Sequence, residues 1–150
     1  MPNSENTESA IEYMEERFGV NQEDLEGLQL KEISGDIWLC SEEESGYETE
    51  TKGIRAVRVM DIGLKPTTYL LQLLQDEISK NKVAVSEEEF RDLLNGQMIE
   101  RELDEKGYVA IEFDGRVIGC CFYMDNLISS RIPEGRGSEL LGALDDKKED

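Results

Sequence analysis

The chain has no histidine, and among its 150 residues there are only three cysteines, three prolines and one tryptophan. The missing histidine removes the commonest general base near neutral pH and the commonest transition-metal ligand. Cys40, Cys120 and Cys121 cannot supply four thiolates to a zinc ion, and an odd count with two adjacent members is a poor disulfide framework. They read as small buried hydrophobes. No run approaches the ~18 consecutive apolar residues of a membrane-crossing helix. The first ten residues, MPNSENTESA, have neither the basic start nor the apolar stretch of a secretory signal. A soluble cytoplasmic protein with no membrane partner is expected.

Positive charge is also scarce. Sixteen Lys and Arg face 35 Asp and Glu, for a formal net charge of -19. The excess is uneven: residues 1–50 hold 15 acidic and 2 basic residues, 51–100 hold 8 and 7, and 101–150 hold 12 and 7. Such a charge works against nonspecific binding to phosphate backbones. It leaves room for a local basic groove in the balanced middle. A salt-rich cytoplasm, with its strong screening, would also explain the acidity.

Apolar spacing gives the elements. Residues 1–9 read as a disordered tail. Ile11, Met14 and Phe18 recur at helical spacing from about Ser9, and Gly19 ends that helix. Asn21 suits the cap of one short turn. Leu28–Ile33 and Ile37–Leu39 form the arms of a hairpin around Ser34–Asp36. An acidic loop, EEESGYETET, follows, and then a half-buried strand over residues 53–60 with Ile54, Ala56 or Val57, and Val59 inward. Pro66 suits the first turn of a second helix whose stripe is Tyr69, Leu70, Leu73, Leu74 and Ile78. Lys82–Ser86 is a short strand. Ser86 and Glu89 form a capping box for a helix that buries Phe90, Leu93 and Leu94 and closes at Gly96. Three strands follow, turning at Asp114-Gly115 and at Asp125-Asn126. Residues 138–144 suit a short helix, and 145–150 a charged tail. The fold class is α+β with mainly antiparallel pairing, which a small β-barrel with flanking helices would close.

Three segments, GLKPTTYLLQLL, NKVAVSEEEFRDLLNGQ and GYVAIEFDGRVIGCCFYMDNLISSRIPEGR, occur in this order. Together they resemble the PUA-like domain attached to RNA cytosine-5 methyltransferases of the Sun/Nop type. Gly107, Tyr108, Val109, Asp114, Gly115, Gly119, Pro133, Gly135 and Arg136 occupy the positions of that domain's last block. Position 134, often basic in the family, is Glu134 here. The resemblance covers roughly residues 53 to 136. It implies one PUA-like domain over 10–144, with 10–50 an acidic lead-in and 53–136 the core.

It also implies a non-catalytic module that binds structured tRNA or rRNA in RNA modification or ribosome biogenesis. The expected partners are that RNA and, in turn, an RNA methyltransferase. No cofactor is expected, because no glycine-rich strand-to-helix loop for S-adenosylmethionine follows a strand. The cysteines also lack the family's Pro-Cys or Thr-Cys nucleophile context. The candidate RNA-binding residues are Arg55, Arg58, Lys65, Thr67, Arg116, Tyr123, Arg131 and Arg136. Lys65 is placed in a loop at a helix start, where backbone N–H groups favour phosphate. Tyr69 is either core or a stacking platform. Phe122 and Tyr123 point to opposite faces, so at most one is exposed. Arg55 and Arg58 serve either phosphates or the many carboxylates.

Two other readings follow from the residues. The acidic N-terminal third, through Ile11, Met14 and Phe18, would dock a protein partner such as a methyltransferase, making the chain an adaptor. An enzyme without histidine would have to rely on carboxylates, Lys, Tyr or Cys. Glu112 and Asp114, two apart on one strand, would be its acid pair.

Overall fold

Ser4 opens the first helix of the chain in the computed structural model, which describes residues 4–25, 27–41, 53–131 and 139–144. The chain is mixed α+β with two sheets, and it divides into two compact units, Met1–Asn81 and Lys82–Asp150. The expected span 10–144 runs through both. The acidic loop 42–51, the Pro133–Arg136 ending and the tail 145–150 lie outside the described residues.

In the first unit α1 runs Glu5–Phe18, so residues 5–9 are helical and not the disordered tail expected. The reason is a cap that the apolar spacing does not reveal. Ser4 Oγ accepts the Thr7 N–H at 3.1 Å, and Glu5 and Glu8 sit in the first turn, where the helix dipole favours carboxylates. The same hydroxyl donates to Glu32 Oε1 at 2.8 Å and so anchors the helix start to a strand. Gly19 ends α1 at φ 72°, with Gly19 N–H on Glu15 O and Val20 N–H on Met14 O. A Cβ there would also strike Ser79 Oγ. The Ser79 and Lys80 N–H groups and the Asn81 amide close the last carbonyls, Phe18 O and Arg17 O.

A 3₁₀ turn (Gln22–Leu25) leads into a four-stranded antiparallel meander of β1 (Leu28–Ile33), β2 (Asp36–Ser41), β3 (Gly53–Met60) and β4 (Gly63–Pro66). The first hairpin closes at Ser34 and Gly35, both at positive φ (51° and 89°), as a two-residue primed turn requires. α2 (Thr68–Leu73) follows. Leu30, Ile37, Leu39 and Val57 are buried with Phe18, Leu70 and Leu71. Ile11 and Met14 of α1, Leu70 of α2 and Leu74 at its C-terminal cap line one apolar depression with Leu30, so both helices cover the Leu30 face of this sheet.

Two expectations are corrected here. Pro66 does not open a helix. It ends the edge strand β4, where a missing N–H is tolerated, and the helix cap is Thr67. The stripe of α2 is also shifted: Leu70, Leu71, Leu74 and Ile78 are buried, whereas Tyr69 is 70% and Leu73 52% exposed.

The second unit holds β5 (Lys82–Ala84), α3 (Glu87–Leu94), β6 (Ile99–Glu100), β7 (Gly107–Phe113), β8 (Arg116–Met124) and β9 (Leu127–Ser130), in sheet order β5-β7-β8-β9-β6. β5 runs parallel to β7 and every other pair is antiparallel. The meander turns where expected, at Asp114 and Gly115 (φ 53° and 80°) and at Asp125 and Asn126 (φ 53° and 64°). A bulge between β7 and β8 leaves Ile118 as the extra residue beside Gly119. Val83, Phe90, Leu93, Val109, Ile111 and Ile128 belong to the core, and Leu144 joins it from the helical residues 139–144.

The capping box of α3 is complete, and Glu89 is used twice. Its carboxylate accepts the Ser86 N–H at 3.1 Å and also takes both guanidinium nitrogens of Arg101, one of them at 2.8 Å. Arg101 continues to Glu100 O and Ala84 O, which fixes the segment after β6 to the start of α3. Hydrogen bonding from Arg101 is the main reason the Glu89 carboxyl is held down at about 2; partial burial opposes this and the Ser86 bonds add to it. The Arg101 guanidinium is shifted upward by the same partner.

Candidate nucleic-acid interface

The face of the first sheet opposite Leu30 carries the basic residues. Cross-strand partners share a face. Lys31 lies opposite Trp38, Trp38 opposite Arg55, and Arg58 opposite Lys65. Arg55 and Arg58 are three apart, which in a regular strand would turn them to opposite faces. The register slips between Ile37 and Trp38: Ile37 pairs Val57 while Trp38 pairs Arg55. Ala56 is the inserted residue, and both Ala56 and Val57 are fully buried. The bulge therefore turns Arg55 and Arg58 outward together.

Lys31, Trp38, Arg55, Arg58 and Lys65 thus span all four strands. At ~4.8 Å between strands the face is about 14 Å across, a run of about four nucleotides at the ~3.4 Å rise of a stacked strand. On these strands the only carboxylate sharing this face is that of Asp36. Its Oδ1 accepts the Val59 N–H at 2.9 Å, and its Oδ2 stands 3.6 Å from Arg55 Nε. The Arg55 side chain remains 48% exposed, and its guanidinium carbon lies 5.6 Å from the centroid of the Trp38 ring, within cation–π range. Arg58 is exposed and forms no ion pair among the described residues. Arg55 and Lys31 flank the half-buried indole, and the Arg58–Lys65 pair extends the same face, which makes a local basic patch on an acidic chain.

The other expected contacts fall differently. Lys65 is on strand β4, not in a loop at a helix start. Thr67 is a helix cap: its Oγ1 accepts the Leu70 N–H at 3.2 Å and donates to Arg55 O at 2.7 Å. That role holds the start of α2 against the strand bearing Arg55. Tyr123 is corrected outright. Its ring is 4% exposed in the core of the second unit, and its hydroxyl is engaged by Leu103 N, Leu103 O and Asn126 Oδ1, so it offers no platform to a base.

Arg116 is exposed beside the Asp114–Gly115 turn. Arg131 lies past β9, with Nη1 on Ser129 Oγ at 3.1 Å and its guanidinium carbon 5.4 Å from the Phe122 centroid. Phe122 in turn packs edge-on against Tyr108. Arg116 and Phe122 are six residues apart on one strand, about 20 Å, so Arg116 and Arg131 do not converge on one site. Arg136 lies outside the described residues.

Lys31 and Trp38 were absent from the expected set. Their signal was available: with Ser34 and Gly35 as a two-residue loop, counting back along both arms pairs position 31 with 38. The bulge at Ala56 had no comparable signal.

The adaptor surface is corrected too. Met14 and Phe18 are 4% and 0% exposed inside the first unit, and Ile11 lines the depression beneath them. Nor do Glu112 and Asp114 form an acid pair. Glu112 is 3.5 Å from Lys82 Nζ, and Asp114 is a turn residue past the strand end. Cys40, Cys120 and Cys121 are all buried, and burial pushes the Cys121 thiol up to about 11. Among the described residues no group of three or more carboxylate or thiol side chains is placed to hold a metal ion, and no helix is long and apolar enough to cross a membrane.

No protein-family model matches the chain, and none of the curated proteins is significantly similar to it.

Proposed function

We propose that the chain is a non-catalytic RNA-binding module, acting on structured tRNA or rRNA in RNA modification or ribosome assembly, and that its contact surface is the outer face of β1–β4. One observation carries the reading: the Ala56 bulge turns the exposed Arg55 and Arg58 to the face of the sheet that also carries the half-buried Lys31, Lys65 and Trp38. Arginine and lysine on adjacent strands track phosphates, and the chain's negative remainder confines RNA to this patch. The three-segment likeness to the PUA-like domain of Sun/Nop-type methyltransferases points the same way, and the α+β class with flanking helices fits such a domain. On this reading an RNA methyltransferase is the natural functional partner.

The test is crosslinking and sequencing of RNA bound to the full chain in cells, for the wild type and for Arg55→Ala/Arg58→Ala. Enriched tRNA or rRNA that is lost in the double variant supports the reading. Equal recovery from both proteins, or no enrichment at all, contradicts it.

A further inference from the structure

The chain's single tryptophan stands in the middle of the cationic face. An indole spent on packing is normally inside, and this sheet has a covered side where Leu30, Ile37 and Leu39 are already buried. Trp38 is on the other side, half-buried, between Lys31 on β1 and Arg55 on β3. Its ring is approached by the Arg55 guanidinium, whose side chain is 48% exposed and whose one ion pair among the described residues is the 3.6 Å pairing to Asp36. Pairings of that kind contribute little and exchange readily. A flat aromatic surface with a displaceable planar cation, on a face that also carries Lys31, Arg58 and Lys65, is the chemistry that receives a nucleobase.

We infer that the face takes an unpaired nucleotide, its base stacked on the Trp38 indole in the place Arg55 occupies. Arg55 turns to the flanking phosphate, and Arg58, Lys65 and Lys31 follow the backbone on either side. This rests on the RNA-binding reading above and narrows it: the recognised element of a structured RNA is a loop or bulge, not a continuous duplex. A base inside a duplex keeps both faces stacked on its neighbours and cannot reach the ring without unstacking.

With one tryptophan in the chain, fluorescence excited at wavelengths that the five tyrosines do not absorb reports on this site alone. The full chain is titrated with a hairpin RNA bearing an unpaired loop and, separately, with the same stem as a blunt duplex. The expected result is saturable quenching by the hairpin and tighter binding of hairpin than duplex. Trp38→Ala should weaken hairpin binding roughly 5- to 150-fold, the range of one lost base stack, with little change for the duplex. Trp38→Phe, which keeps a ring, should retain most of the affinity and guards against loss through misfolding. Equal affinity for hairpin and duplex in the wild type, with no quenching, overturns the stacked-base inference while leaving the RNA-binding face standing. If neither RNA binds the wild type, the RNA-binding reading falls and the inference with it.

Discussion

Arg55 and Arg58 face the same way although three positions separate them, because Ala56 is an extra residue in β3 and tucks inward beside Val57. The shared basic face exists because of this one register slip. With regular alternation, one of the two arginines would point under the helices. If both serve phosphates, each contributes to counterion release. Arg58→Ala should then flatten the slope of log affinity against log salt by about one unit, and Arg55→Ala/Arg58→Ala by about two. Both side chains are exposed, so thermal stability should change little. Fluorescence anisotropy with labelled RNA at several salt concentrations reads the slope.

Thr67 should behave as a cap. Its hydroxyl joins the first turn of α2 to the Arg55 carbonyl. Thr67→Ala is expected to lower stability by about 1 kcal/mol, and Thr67→Ser should recover most of that. RNA affinity under conditions where the variant is fully folded should stay near wild type. A variant that is fully stable but fails to bind RNA would reverse the assignment. Chemical denaturation together with anisotropy separates the two.

Glu89 sets an acid dependence. Its carboxyl sits at about 2 when folded, against an ordinary value near 4.5. Because the folded value is depressed, the contribution is fully present above about pH 4.5 and is lost as pH falls toward 2. Glu89→Gln removes the charge from a two-pronged contact that is largely but not wholly screened from water. It should cost about 1–2 kcal/mol at pH 7. The stability gap between variant and wild type should narrow steadily between pH 4.5 and 2. Urea denaturation followed across that range measures it.

The thiols should be silent. Cys40, Cys120 and Cys121 are at most 2% exposed, and burial holds the Cys121 proton on to about pH 11. A thiol-specific reagent at pH 8 should label none of the three in the folded chain and all three in denaturant. Rapid native labelling would mean that the core around β8 opens.

Much of this was legible in the sequence where short-range chemistry decides the outcome. The Asp114-Gly115 and Asp125-Asn126 turns and the Ser86–Glu89 capping box each depend on a few adjacent residues and stand as expected, and the first hairpin does too, save that its loop is Ser34-Gly35 and Asp36 already belongs to the strand. Where the reading slipped, a long-range contact had decided. Ser4 caps α1 with Glu32 as a second partner 28 residues away. Pro66 closes a strand because β3 lies beside it, and Tyr69 is outward because Leu71 takes the inward place. The two-residue β6 has no pattern of its own and exists through β9. Half of the candidate site was readable as charge, in Arg55, Arg58 and Lys65. The other half, Lys31 and Trp38, required the register, and the bulge at Ala56 is set by pairing that no local spacing encodes.

The most direct measurement is a backbone amide shift map of the full chain during titration with a hairpin RNA. The largest changes are expected on Lys31, Trp38, Arg55, Arg58 and Lys65 and on the Trp38 indole N–H. Changes confined to the second unit, around Arg116 or Arg131, or no changes at RNA excess, would contradict this expectation.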